Sequence, residues 1–160
     1  MKLLYSINLK SAENDLIGMS NYPIANYNKS DVLHGIGESY ITLIFDYWKQ
    51  QIVVVQDSLL SFLFNLKGAL IGLMNNEKEK ANVFSVEQGF VMELTLVKGQ
   101  VEIRIFDGIY RVGLPEIIKA VNITGNRACQ ELEHIYKGLN ENQHYKKIKK
   151  QFTVDSSSTA

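Results

Sequence analysis

The groups able to do chemistry in this chain are few and scattered. Cys129 is the single cysteine, and His34, His134 and His144 are the only histidines in 160 residues. A metal site requires several such ligands converging at suitable spacing. Only Cys129 and His134 are close in sequence, and a five-residue offset on a helix puts them on different sides. A thiol nucleophile requires a base within hydrogen-bond reach, but no motif surrounds Cys129. No G-x-S-x-G is present. Gly35-Ile36-Gly37-Glu38 lacks both a third glycine and a Walker lysine, so it is neither a dinucleotide nor a phosphate fingerprint. Glu93 and Glu102 could support acid–base work, yet their strand register opposes Glu93 to Arg104, and a solvated ion pair is the expectation. Lys146, Lys147, Lys149 and Lys150, with Tyr145 and Phe152 interleaved, could grip phosphate or an acidic partner; they read equally as the wet face of a terminal helix. The expectation is a chain with no catalytic centre, no metal and no cofactor.

The aromatic residues carry more information. Tyr22, Tyr27, Tyr40, Tyr47 and Trp48 fall within and just after a long irregular stretch. Tyr and Trp favour interfaces, because they combine large rigid area with a polar handle, and they serve equally well in a core. Tyr22, Tyr27, Tyr47 and Trp48 are taken as the partner-binding candidates.

These residues must be positioned by ordinary elements. At 46% hydrophobic and 21% charged, the chain has the composition of a globular domain. Its 17 basic and 17 acidic residues cancel, which argues against a general nucleic-acid binder. One cysteine suits a reducing, cytoplasmic setting. MKLLYSINLK is interrupted by Asn8 and Lys10 before any cleavage site, so no secretory signal is read there. Leu59 to Met74 falls short of the roughly 20 apolar residues that a bilayer requires, so no membrane span is expected.

The firmest element is Phe90 to Asp107. Apolar residues alternate on both sides of Lys98-Gly99, and a two-residue turn there sets Met92 against Ile105, Leu94 against Ile103 and Leu96 against Val101. Strands are expected at Lys2 to Leu9, Ser39 to Tyr47, Gln51 to Val55, Val83 to Glu87 and Ile109 to Val112. Leu59 to Met74 reads as a deeply packed helix, N-capped by Asp57, with Gly68 and Gly72 admitting a neighbouring backbone. A second long helix starts at Pro115, with Thr124-Gly125 as a kink and Gly138 as its C-terminal cap. Asn140 to Gln151 forms a short last helix docked through Tyr145, Ile148 and Phe152. Residues 10–38 read as a long connection, with at most a short helix or strand near Ala12 to Met19. The sum is an α+β fold: a mostly antiparallel sheet with two long helices on one face and a short C-terminal helix. One domain over residues 1–154 and a flexible tail at 155–160 are expected.

A strand, the helix LLSFLFNLKGALIGL, the hairpin MELTLVKGQVEIRIFD and a helix opening LPEIIKAV together resemble small bacterial immunity proteins. These are the antidotes encoded beside polymorphic or contact-dependent growth-inhibition toxins. The resemblance is one of layout, over residues 39–140. It implies a non-enzymatic chain that binds a cognate protein toxin and occludes its active site or substrate surface, and it carries over no individual residue. Two other classes suit the same residues: a small-molecule-binding or enzymatic α+β domain with a pocket between sheet and helices, and an oligomeric accessory subunit joined through a sheet edge.

Overall fold

The computed structural model describes residues 1–85 and 88–153. Its hairpin is β5 (Val91–Val97) and β6 (Gln100–Ile105), in the register expected: Met92 opposes Ile105, Leu94 opposes Ile103 and Leu96 opposes Val101. Lys98 and Gly99 both have positive φ, 51° and 78°, as a tight turn matched to the twist of its strands demands. Met92, Leu94, Val101 and Ile103 are fully buried. The outer face pairs differently from expectation. Arg104 opposes Glu93 in register, but it bonds Glu102 at 3.1 Å, and Arg111 reaches the other oxygen of Glu102 at 3.1 Å. Glu93 turns instead to Lys80, at 3.5 Å. Arg104 and Glu102 share one face of one strand, and neighbouring strands supply Arg111 and Lys80, so Glu102 has two cations within reach.

Those neighbours are β4 (Lys80–Phe84) and β7 (Gly108–Gly113), giving a four-stranded sheet in the order β4-β5-β6-β7. The remaining strands form a separate sheet. β1 (Lys2–Ile7), β2 (Glu38–Asp46) and β3 (Gln51–Ser58) pair antiparallel in that order. The fold is therefore α+β and antiparallel, with two sheets in place of the single one anticipated. Phe45 of β2 stacks on Tyr110 of β7, with centroids 4.2 Å apart and rings inclined by 8°, where the two sheets meet.

Two long helices fill the space behind them. α3 (Leu59–Met74) buries Leu59, Leu60, Phe62, Leu63, Leu66, Leu70 and Leu73, and it touches strands of both sheets. Its N-cap is Ser58, not Asp57. The strand continues to Ser58, so the Asp57 carboxylate accepts from the Ser58 N–H, at 2.8 Å, instead of from the first turn of the helix. The Ser58 hydroxyl donates to the Ile36 carbonyl at 2.9 Å. Gly68 and Gly72 admit no backbone: a Cβ on either would meet nothing within 4 Å. The close approach is at Gly125, where a Cβ would run into the Phe152 ring. α4 (Leu114–Ile135) runs unbroken through Thr124-Gly125, because Thr124 donates to the Leu3 carbonyl at 3.0 Å and Gly125 receives Phe152. It ends before Gly138, whose φ of 89° opens a single 3-10 turn at Leu139–Glu141.

The stretch read as a connection is mostly helical. α1 (Leu9–Gly18) is capped by Asn8, which accepts from the Ser11 N–H at 3.1 Å, and α2 (Lys29–His34) by Asn28, which accepts from the Asp31 N–H at 2.9 Å. Asn142 caps α5 (Gln143–Lys150), and its amide donates to the carbonyls of Ile24 and Tyr27, each at 2.8 Å. These three asparagines act as helix caps and ties, and Asn28 is the one that lies within the stretch read as a connection. Tyr145, Ile148 and Phe152 are buried as expected. Val86 and Glu87 of the strand expected up to Glu87, and the tail at 155–160, lie outside the described residues.

Candidate functional site

The inner face of the first sheet packs Leu3, Ile7, Ile41, Leu43, Val53 and Val55 into the core. Its outer face is three rows of cross-strand neighbours: Lys2–Ile44–Ile52, Leu4–Thr42–Val54 and Ser6–Tyr40–Gln56. Lys2 is the one charged residue among the nine. Leu4 is 48% exposed, Tyr40 51% and Val54 54%. Side chains directly opposed in a sheet lie within about 5.5 Å, so these residues form one contiguous patch. An apolar face of that extent, left open, marks an interaction surface more often than chance.

The β2–β3 turn extends the patch. Asp46 accepts from the Lys49 N–H at 3.2 Å, and Gln50, at a φ of 52°, donates to the Tyr47 carbonyl at 3.1 Å. This closed turn holds Tyr47 and Trp48 edge to face, centroids 5.9 Å apart and planes at 81°. Trp48 is 91% exposed. An aromatic side chain of this kind buries about 150–250 Å² when covered, and at ~25 cal/mol/Å² that is roughly 4–6 kcal/mol of transfer free energy. Part of that is spent on association itself.

The four candidates form two pairs, not one patch. Tyr22 and Tyr27 stack at 5.6 Å, and Tyr22 donates to the Asn26 carbonyl at 3.0 Å. Tyr27 is half-buried; burial first, then the carboxylates of Asp15 and Asp31, raise its phenol pKa. Asp15 is in turn held by the Tyr136 hydroxyl, which donates to it at 2.7 Å and accepts from the Gly37 N–H at 3.1 Å. Tyr22 and Tyr27 thus sit by the Glu38 end of β2, and Tyr47 and Trp48 lie past its Asp46 end. Eight residue steps of strand separate the two ends, about 27 Å. Leu4, Ile44, Ile52 and Val54 were not among the candidates. Their signal was available: the segments 40–45 and 52–55 are apolar on both faces, whereas an antiparallel strand with one wet face alternates.

The groups weighed for catalysis lie apart. Burial pushes the Cys129 thiol up to about 11, so it is protonated near neutrality and a poor nucleophile. His134 and His144 are exposed on separate helices. Among the described residues, no three His, Cys, Asp or Glu side chains come together as a metal site. Asp57 is the unusual carboxylate. It is 2% exposed, one of its oxygens has no hydrogen-bond partner among the described residues, and burial raises its pKa. No helix among those residues is long and apolar enough to cross a membrane. Comparison with known family models, curated proteins and solved structures finds no match to this chain.

Proposed function

We propose that this chain is a protein-binding domain that works by covering a partner's surface, and that the partner is a toxin domain it neutralises. The observation that carries the first part is the outer face of the first sheet with Trp48 at its end, a preformed apolar surface on a rigid scaffold. The second part rests on the resemblance of the layout to immunity proteins. Binding through such a face uses large aromatic anchors surrounded by smaller apolar contacts that exclude water. Trp48, Tyr47 and Tyr40 suit the anchor role, and Leu4, Ile52 and Val54 the surround. No side chain need react, because inhibition follows from occlusion alone.

The test is rescue. Cells expressing the toxin-like product encoded beside this gene should survive when the chain is co-expressed, and should lose that protection with Trp48→Ala carried on an intact fold. Survival that is indifferent to Trp48→Ala and Val54→Asp together contradicts the assignment of this face.

A further inference from the structure

The free edge of β1 is a second surface with a definite chemistry. In an antiparallel pair, alternate residues turn both N–H and C=O to their partner strand. Asn8 donates to the Glu38 carbonyl at 2.8 Å, so the even-numbered residues of β1 serve β2. Leu3, Tyr5 and Ile7 turn their backbone groups outward. The bond from Thr124 of α4 to the Leu3 carbonyl is made on that outward side. The N–H and C=O of Tyr5 have no partner among the described residues. Between this edge and α4 runs a groove of about 640 Å³, walled by Leu4 on the strand side and Ile123 on the helix side. Both are exposed, Ile123 at 57%.

We propose that this groove receives one extended segment of a partner polypeptide, carrying carboxylate side chains, as a fourth strand on the first sheet. Three features specify the occupant. The outward groups recur every second residue, about 6.8 Å apart, which matches the repeat of an extended backbone. α4 stands against the edge and Thr124 already takes the Leu3 carbonyl, so the ladder left open runs from Tyr5 to Ile7, short enough for a lone strand, whereas a second copy would bring its own α4 to the same edge. The charged groups lining the groove are Lys2, Arg127 and Glu131. Glu131 accepts from the Tyr5 hydroxyl at 2.7 Å and keeps its negative charge. Lys2 and Arg127 are exposed and form no ion pair among the described residues. Two cations against one carboxylate leave these side chains net positive. The inference stands apart from the reading of the sheet's outer face, which needs no strand addition.

The experiment titrates the full ¹⁵N-labelled chain, to millimolar ligand, with a blocked hexapeptide alternating valine and glutamate. Two control peptides carry lysine for glutamate, or a central proline that cannot donate to a ladder. Saturable shifts and slowed exchange at the amides of Leu3, Tyr5 and Ile7 are expected, with binding at least about tenfold weaker, or about 1.4 kcal/mol, for either control peptide. Ile123→Arg, and independently Arg127→Glu, weaken binding by a similar factor, while Trp48→Ala leaves it unchanged. Absence of saturable shifts at those amides, equal binding of the proline peptide, or indifference to both groove variants overturns the proposal. So does protection of the same amides that grows with protein concentration alone, which would give the edge to a second copy. A peptide that binds while Trp48→Ala fails to affect rescue removes only the sheet-face reading, and the reverse result removes only the groove.

Discussion

The outer faces of the two sheets are built from the same kind of strand and finished in opposite ways. On the second sheet the centre is ionic. Glu102 takes Arg104 and Arg111 together, Glu93 takes Lys80, and the exposed apolar residues Phe84, Val91, Val97 and Ile109 sit around these pairs. On the first sheet the centre is Leu4, Thr42 and Val54 in one row, and its charges, Lys2 and the Glu38 that accepts from Gln56, stand toward opposite ends of the face. Exposed charge pairs add little to stability, but they keep a face wet and discourage association. A face without them gains little in folding and gives up solvation, which is the contrast the proposed partner binding accounts for. The difference teaches that exposure alone does not separate the two faces; the placement of charge does.

Five substitutions break or sharpen that contrast. Ile41→Ala, on the fully buried inner face of the first sheet, should cost about 2–5 kcal/mol in chemical denaturation. Val54→Ala, one strand away on the outer face, should stay within about 0.5 kcal/mol; a cost as large as that of Ile41→Ala would mean the outer face is covered within the chain. Trp48→Ala should leave the melting temperature unchanged and weaken partner binding by about 2 kcal/mol or more, roughly 30-fold in Kd by calorimetry. A variant that only unfolds would make Trp48 a core residue.

Asp57→Asn sharpens the contrast between buried and solvated carboxylates. Burial raises the pKa of Asp57, so the fold prefers its neutral form. The stability contributed by that form is complete below the unfolded pKa, near about 3.9, and is lost as pH rises through the folded value. The neutral asparagine removes this loss, so the variant should melt higher than wild type at pH 7, with the gain vanishing toward pH 4. Glu102→Gln is expected to have the smallest effect. Arg104 and Arg111 hold the Glu102 carboxyl below its usual range, so its contribution is present above the unfolded pKa and is lost as pH falls through the lowered one. The drop in melting temperature at pH 7 should shrink as salt screens the pair.

The hairpin was legible in the sequence because one register satisfied both faces, with alternation inside and a turn dipeptide between. α3 was legible because a continuous apolar stripe admits few other readings. α1 and α2 were not, since each buries only one or two residues, Ala12 in the first and Val32 and Leu33 in the second. A helix with so narrow a buried stripe leaves no period to read, and a cap such as Asn28 passes for loop. The division into two sheets was hidden for another reason: alternation specifies which face a residue takes, not which distant strand lies beside it. The aromatic candidates suffered the same limit, because Tyr27 and Trp48 lie at opposite ends of β2. The apolar second face of β2 and β3 was present in the residues, but an uncovered face and a doubly buried strand look alike until the layers are placed.

The most direct measurement is a methyl and indole NMR titration of the full chain with the proposed partner, sought as the product of the adjacent gene. The methyls of Leu4, Ile44, Ile52 and Val54 and the indole of Trp48 should shift together, while those of Val97 and Ile109 on the second sheet stay still. Shifts centred on the second sheet, or none on the first at saturating partner, would contradict the role assigned to the uncovered face.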